Sequence, residues 1–118
     1  MRSILVFGLV LLLAFVGANA ADKDGRYVVQ GVTSCGKYIE ETKNKNGWSY
    51  TATLNWVAGY ITATNRFMPD TYSILGNSDI DSAMLWLENY CRSNPLKSIS
   101  SGMTDLVIEI YPNRILTK

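Results

Sequence analysis

The stretch NWVAGYITATNR, residues 55–66, lies within a longer amphipathic run and decides the fold. Its spacing predicts a helix over about residues 51–67 with apolar side chains on two faces, which is typical of a central helix. Gly59 stands near the middle, where glycine costs about 1 kcal/mol relative to alanine. Because Ala52 and Ala63 share its line, we predict a notch of small residues that a neighbouring helix approaches closely. A glycine shaped for a ligand is the alternative, but no phosphate-binding loop surrounds it.

Three further helices are predicted around this one. Serine, threonine, asparagine or aspartate precedes each of them, as expected of helix N-caps. Pro69, Pro95 and Pro112 mark helix ends, because the residue before a proline is pushed out of the helical region. The predicted spans are about 33–43, 77–94 and 98–111.

Three aromatic residues are predicted to anchor the packing of these helices. Trp56 and Tyr60 repeat at helical spacing along one side of the central helix, and Trp86 widens the apolar face of the third helix. Large aromatic side chains at such spacing contribute much of a core's buried area. We therefore assign Trp56, Tyr60 and Trp86, together with Gly59, to helix packing.

A secretory signal peptide is predicted over residues 1–20. The apolar run 4–16 is followed by small residues that end in Ala-Asn-Ala at 18–20, a cleavage pattern. A retained membrane anchor is the alternative, but the run is shorter than the roughly 20 residues that span a bilayer. Cleavage would release a single helical domain, 21–118, with its core at about 34–112, into the periplasm. No membrane contact is expected after cleavage.

Two cysteines lie in this domain, Cys35 and Cys91. In an exported chain an even cysteine count favours a disulfide, which would stabilise the domain by roughly 4 kcal/mol in the chain-entropy model. Reactive thiols are the alternative, but the chain has no CxxC spacing and no histidine to activate a thiolate. We therefore expect a compact all-α domain of about four helices, with one disulfide tying the first helix to the third.

Charge and composition exclude several classes of function. Without the signal peptide, the Lys and Arg residues balance the Asp and Glu residues, so no basic footprint for nucleic acid exists. The lack of histidine excludes Ser-His-Asp and Cys-His sites and leaves only carboxylate chemistry. Asp79 with Asp81 and Glu40 with Glu41 are too close in sequence to oppose each other across a substrate. We expect no catalytic residue, cofactor or metal, and a small carboxylate-based hydrolase is the enzyme alternative.

A protein-binding surface is predicted from four large side chains beside polar segments. Trp48 and Tyr50 follow the polar loop 44–47, and Tyr72 and Ile74 lie in the linker after the central helix. The linker residues either tuck into the core or contact a partner, and the sequence leaves both alternatives open.

Four short motifs follow one another between residues 34 and 112: SCGKYIEE, NWVAGYITATN, WLENYCRSNPL and IYP. In this order they resemble the HdeA/HdeB-like group of small exported proteobacterial proteins. The chain is also similar to the Tai-type immunity proteins of type VI secretion, which share a Gly-Tyr-Ile core in the second helix.

The resemblance implies an all-helical periplasmic domain in which Cys35 and Cys91 are disulfide-bonded. HdeA/HdeB-like members are acid-activated chaperones that dissociate from homodimers and bind unfolding clients. Tai-type members bind and block a toxic cell-wall amidase delivered to the periplasm. The expected function is therefore non-enzymatic protein binding, with an acid-stress chaperone placed first, an immunity protein as the alternative, and an unfolding client or a toxin as the partner. A homodimer is a further expected partner state.

Overall fold

Four helices follow one another in a computed structural model that describes residues 33–118. They are α1 (Cys35–Glu41), α2 (Trp48–Phe67), α3 (Ile80–Ser93) and α4 (Ile99–Ile110), and a 3-10 turn (Tyr111–Asn113) follows α4. Within this described part the chain forms no strand, only two isolated backbone bridges. The predicted signal peptide, 1–20, and the first residues of the predicted domain lie outside the described residues.

Short polar side chains set three of the four helix starts. Ser34, Asp79 and Ser98 each accept a hydrogen bond from a backbone N–H in the first turn of α1, α3 and α4. Gly47 precedes α2 and offers no side-chain cap. α2 begins at Trp48, three residues before its predicted start at about residue 51.

The Cys35–Cys91 disulfide joins α1 to α3, and both cysteines are fully buried. Tyr38, one turn further along α1, is also fully buried, and its hydroxyl donates to the Met84 carbonyl oxygen at 3.2 Å. Burial raises the pKa of Tyr38, so the phenol keeps its proton and remains a donor. The remaining core residues come from α2, the linker, α3 and α4: Val57, Ile61, Ile74, Ala83, Met84, Leu87, Ile99, Met103 and Leu106. The predicted fold class is thus confirmed.

A close helix contact lies at Gly102, in α4. A Cβ atom there would stand 2.6 Å from Leu87 Cδ1 and 2.9 Å from Tyr90 Cδ1, closer than real Cβ contacts. We call this contact between Gly102, Leu87 and Tyr90 the α3–α4 seam. Glycine is needed at position 102 because it lets the two helices approach.

The predicted packing notch at Gly59 is wrong. Gly59 is exposed, and an added Cβ atom would meet no described atom within 4 Å. Ala52 and Ala63, the other members of the predicted line, are exposed as well. The reason is that α2 buries its other face, through Val57 and Ile61, so the small residues point away from the other described helices.

The linker between α2 and α3 is fastened by the C-terminal tail. The Ile115 N–H donates to the Ser73 carbonyl at 2.9 Å, and the Ile115 carbonyl accepts from Ser73 at 3.1 Å and from Tyr72 at 2.8 Å. The residues after α4, for which the sequence predicts no structure, therefore complete the linker.

Two further features fix the same linker, one contact with α2 and one with the 3-10 turn. The Asn65 side-chain oxygen accepts a hydrogen bond from the Ile74 N–H at 2.7 Å. Gly76 has φ +61°, and a Cβ atom on it would lie 2.6 Å from the Asn113 carbonyl oxygen. Both its backbone conformation and its surroundings therefore require glycine at position 76.

Candidate protein-binding surfaces

Two of the four predicted surface residues are exposed. Trp48, the first residue of α2, is 83% exposed, and Tyr72 in the linker is 70% exposed. Large aromatic side chains are enriched where proteins bind partners, because they bury much area and lose little conformational entropy. Trp48 and Tyr72 thus remain candidates for contact with a partner.

The other two predicted surface residues contact the core or belong to it. Ile74 is fully buried, so the linker tucks it into the core. Tyr50 is half-buried, and its ring lies nearly parallel to the ring of Tyr38 with the centroids 6.4 Å apart. Lys45 Nζ lies 5.9 Å from the Tyr50 ring centroid. Assigning Ile74 to a contact surface is wrong, because spacing alone does not show which way a linker side chain points. Tyr50 stays partly exposed, and its surface role stays a prediction.

Trp48 and Tyr72 do not form one patch. α2 separates them, since Trp48 begins this helix and Tyr72 follows its end. A helix of this length is about 30 Å long. The predicted surface is therefore two separate sites, and each has its own neighbours.

Further large apolar side chains are exposed where the sequence reasoning did not place a surface. Leu96 in the α3–α4 loop is 100% exposed, and Phe67 at the end of α2 is 80% exposed. Leu85 and Ile108 are more than half exposed on α3 and α4. The position of Leu96 directly after Pro95, between two helix boundaries, is the one signal that could have identified it.

The predicted packing aromatics lie at the edge of the core. Trp56, Tyr60 and Trp86 are half-buried and pack against buried residues. Trp86 stacks on Tyr90 with the ring centroids 5.3 Å apart, and its Nε1 donates to Glu109 at 3.3 Å. These contacts agree with the predicted packing role of the three side chains.

Glu88 on α3 is the carboxylate with the most ionic partners. Only 14% of its side chain is exposed, and it lies 2.7 Å from Arg92 and 3.3 Å from Lys45. The hydrogen bond from Arg92 is the main cause that lowers the pKa of Glu88, with Lys45 adding to it against the effect of burial. Because Lys45 lies in the α1–α2 loop, this ion pair ties that loop to α3.

Three of the four paired carboxylates of the sequence, Asp79, Glu40 and Glu41, have structural partners. Asp79 caps α3, and the hydrogen bond from the Ser82 side chain is the main cause that lowers the pKa of Asp79. Glu40 pairs with Lys43 at 2.6 Å. Glu41 accepts a hydrogen bond from the Thr53 hydroxyl at 2.8 Å. None of these contacts opposes two carboxylates across a cleft.

An open hollow of about 310 Å³ lies beside the disulfide and is lined by Gly36, Ile39, Cys91, Arg92 and Pro95. These lining residues include no carboxylate. Residues 33–118 hold no group of three His, Cys, Asp or Glu side chains that could bind a metal ion. In the same range, none of the helices is long and apolar enough to cross a membrane.

Comparisons with protein-family models, with curated proteins and with solved structures give no match to this chain.

Proposed function

We propose that the protein is an exported, non-enzymatic protein-binding domain. The observation that carries the proposal is a set of large apolar side chains that stay exposed beside a filled core. They are Leu96 at 100%, Trp48 at 83%, Phe67 at 80% and Tyr72 at 70%. Large apolar groups left in water favour contact with a partner that covers them.

The disulfide supports an exported location. Disulfides persist in oxidising compartments and are rare in the cytosol. Cys35 and Cys91 are both buried in this bond, which suits a permanent structural link between α1 and α3. Together with the signal peptide predicted over residues 1–20, the disulfide supports our proposal of a periplasmic location.

An acid-stress chaperone of the HdeA/HdeB type is the role we place first. The lowered pKa of Glu88 means that its ion pairs stabilise the fold above the ordinary carboxyl pKa, and that this stabilisation is lost as pH falls through the lowered value. Full protonation of the ten Asp and Glu residues would leave only the positive charges of Lys and Arg. Their repulsion would loosen the helices while the disulfide keeps α1 and α3 joined. Apolar surface exposed in such a state can bind an unfolding client.

The test is suppression of client aggregation by the purified, oxidised protein. A client enzyme denatured at about pH 2, where carboxyl groups are protonated, would be returned to neutral pH with and without the protein, and light scattering would be recorded. We expect less scattering than with an equal mass of an inert protein. The double variant W48A/Y72A should protect less, and N55A/N89A, at two exposed polar positions, should protect as well as the wild type. Equal scattering with and without the wild-type protein rules out the chaperone role.

An immunity protein is the second candidate, and Leu96 favours it. The loop that carries Leu96 is fastened to the start of α1 directly after Leu96, since Cys35 N–H donates to the Lys97 carbonyl at 2.8 Å and Ile99 N–H donates to the Thr33 carbonyl at 3.1 Å. A preorganised apolar tip loses little entropy on binding, which suits one folded partner rather than many unfolded ones.

Affinity capture distinguishes this second role. The wild-type protein and a Leu96→Asp variant would be immobilised and exposed to periplasmic amidase toxins of type VI secretion. Capture and inhibition of a toxin by the wild type, with loss of both in Leu96→Asp, would establish the immunity role. A variant with the same charge on another exposed apolar residue, Leu85→Asp, is the control. Hydrolase activity in the purified protein that is lost on changing one carboxylate would overturn both binding roles.

A further inference from the structure

The C-terminal tail pairs with the linker along one side only. Ile115 exchanges backbone hydrogen bonds with Ser73, and the Thr117 N–H donates to the Asp70 carbonyl at 3.4 Å. Successive residues of an extended chain direct their backbone groups to opposite sides, so the N–H and C=O of Leu116 point away from the linker. Neither group has a hydrogen-bond partner among the described residues. We call the outward-pointing backbone groups of residues 114–118 the tail edge.

An open edge of this kind is a template for pairing with another extended chain. A segment laid beside it would accept a hydrogen bond from the Leu116 N–H and donate to the carbonyl oxygens of Leu116 and Arg114. Such main-chain bonds supply affinity when a β-strand is added to an edge, and side chains at alternate positions supply specificity. Residues 115–118 are all exposed, so no described residue blocks the approach.

Exposed apolar side chains lie beside the tail edge. Leu116 is 53% exposed and Ile115 is 39% exposed. Tyr72, whose N–H donates to the Ile115 carbonyl at 2.8 Å, is 70% exposed. Hydrogen bonds alone contribute little net free energy to pairing, because the unpaired groups already bond to water. An added strand that covers these side chains would gain the free energy of apolar burial as well.

Arg114 is the charged group best placed to select the partner. Its guanidinium carbon lies 3.7 Å from the Tyr111 ring centroid, and its Nη1 donates to the Tyr111 carbonyl at 3.0 Å. Arg114 has no ion pair with a described residue, and its Nε is buried without a hydrogen-bond partner. The side of the guanidinium formed by Nε and Nη2 therefore lacks an acceptor. A carboxylate fits such a pair of donors with both of its oxygens.

The geometry of the tail sets the spacing of the two side chains that a partner presents. The backbone at Arg114 is extended, with φ −64° and ψ 152°. Because Leu116 is two positions further on, its side chain lies on the same face as that of Arg114. Residues directly opposite them on an added strand share this face. A strand that presents a carboxylate to Arg114 therefore presents its second neighbour along the chain to Leu116.

Charge argues against a second copy of the tail as the occupant. Residues 114–118 include Arg114 and Lys118 and no acidic side chain. An antiparallel pair of tails centred on Leu116 would set Arg114 of each copy opposite Lys118 of the other. Like charges directly opposite each other destabilise a pair of strands. The chemistry of the tail edge therefore fits a segment of a different protein.

We propose that the tail edge binds an extended segment of a partner protein as an added β-strand. The segment carries an acidic side chain that binds Arg114 and, two positions away, an apolar side chain that covers Leu116. The proposal rests on the protein-binding function proposed above and specifies which part of the partner is recognised. An unfolding client offers such segments, because its own strands have lost the neighbours that paired with them.

The first test measures the binding of labelled peptides to the oxidised protein at neutral pH, where carboxylates are charged. The probe has about six residues, the usual length of a strand, and alternates Thr and Val with one Val replaced by Glu. A second peptide has Gln in place of the Glu, and a third has the sequence of residues 114–118. Fluorescence anisotropy at protein concentrations up to about 1 mM covers weak binding. We expect the Glu peptide to bind about fivefold more tightly than the Gln peptide, and the tail peptide to bind least.

Two variants separate the charge from the backbone. Arg114→Gln should bind the Glu and Gln peptides equally, whereas Arg92→Gln, in the last turn of α3, should keep the wild-type preference. Leu116→Pro lacks the outward N–H but keeps the N–H groups of Ile115 and Thr117 that bond to the linker. It should bind at least tenfold more weakly than the wild type, and Leu116→Ala, which keeps the N–H, should lose less. Circular dichroism checks that each variant is folded.

The second test needs no variant and therefore does not depend on whether Leu116→Pro folds. NMR measures how fast the backbone amide protons of the wild type exchange with water. At a saturating concentration of the Glu peptide, exchange at Leu116 should slow at least fivefold. The Ile115 amide, which already donates to Ser73, should change little and is the internal control.

Several results would overturn the tail edge as the site. They are unchanged exchange at Leu116 in the bound state, wild-type affinity in Leu116→Pro, equal binding of the Glu and Gln peptides by the wild type, tight binding of the tail peptide, and no peptide binding at about 1 mM. Each of these leaves the proposed protein-binding function in place. That function fails separately, when the protein neither reduces client scattering nor captures a toxin.

Discussion

The α3–α4 seam and the exposed face of α2 around Gly59, which we call the α2 outer face, each carry a glycine within a helix, but the two glycines lie in opposite surroundings. A Cβ atom on Gly102 would collide with Leu87 and Tyr90, whereas one on Gly59 would meet no described atom within 4 Å. The first glycine is therefore required by the chain's own packing. The second is required by no contact within the described residues.

The largest loss of stability is expected from removing the disulfide, which joins α1 to α3, one of the two helices of the seam. Replacing Cys35 and Cys91 together by alanine should lower the free energy of unfolding by about 4 kcal/mol, because a bond spanning 56 positions restricts the unfolded chain. Urea unfolding of the oxidised wild type and the double variant at pH 7 measures the difference. A loss well below 1 kcal/mol would mean that the helices hold each other without the link.

Gly102→Ala tests the seam directly. The new methyl group forces Leu87 or Tyr90 to move, which typically costs about 1–3 kcal/mol, and the better helix propensity of alanine returns about 1 kcal/mol. A net destabilisation of about 1 kcal/mol, and at most about 2 kcal/mol, is expected in urea unfolding. If the variant were as stable as the wild type, the two helices would not be pressed together at this point.

Glu88→Gln tests the ion pairs that tie the α1–α2 loop to α3. We expect a loss of about 1 kcal/mol at pH 7, kept small because Lys45 and Arg92 are each 55% exposed. The folded-state pKa of Glu88 is lowered, so its contribution is present above the ordinary carboxyl pKa and disappears as pH falls through the lowered value. The free energies of unfolding of the wild type and of Glu88→Gln should therefore become equal as the pH falls from 7 to 2. A constant difference at every pH would show that Glu88 acts through packing instead.

Gly59→Ala is the matched change on the α2 outer face. We expect it to change the free energy of unfolding least, and to raise it where Gly102→Ala lowers it. Alanine should stabilise the single chain by about 0.5–1 kcal/mol, since the methyl group meets open space and helix propensity improves. Thermal unfolding at a concentration low enough to keep the chain monomeric gives the value. A destabilised Gly59→Ala protein would break the contrast with Gly102, because both glycines would then be needed by the fold itself.

The helices, the fold class and the disulfide link were predictable because their signals are local or compositional. Ser34, Asp79 and Ser98 cap helices close to the predicted starts, and the cysteines pair as an even count in an exported chain predicts. The helix starts follow from residues close in sequence, and the disulfide follows from the number of cysteines.

The packing glycine and the contact surface were predicted less well, because both depend on which face of an element turns inward. α2 has apolar side chains on two faces, so the sequence does not show that Val57 faces the core while Gly59 faces water. Ile74 fails as a surface residue for the same reason, because the folded linker, whose Ile74 N–H donates to the Asn65 side-chain oxygen, turns the side chain into the core. Gly102 has no distinguishing sequence context, and only the two helices together reveal its role.

The pairing of Ile115 with the linker has a consequence for the order in which the protein is made. Tyr72 and Ser73 leave the ribosome about forty residues before Ile115, which supplies the carbonyl that both of their N–H groups bind. Chains released before residue 115 would keep these two amides without their native acceptor and would leave the linker open to proteases. The linker thus reaches its native pairing only when residue 115 is present, so chains that lack it would be removed while chains that contain it persist.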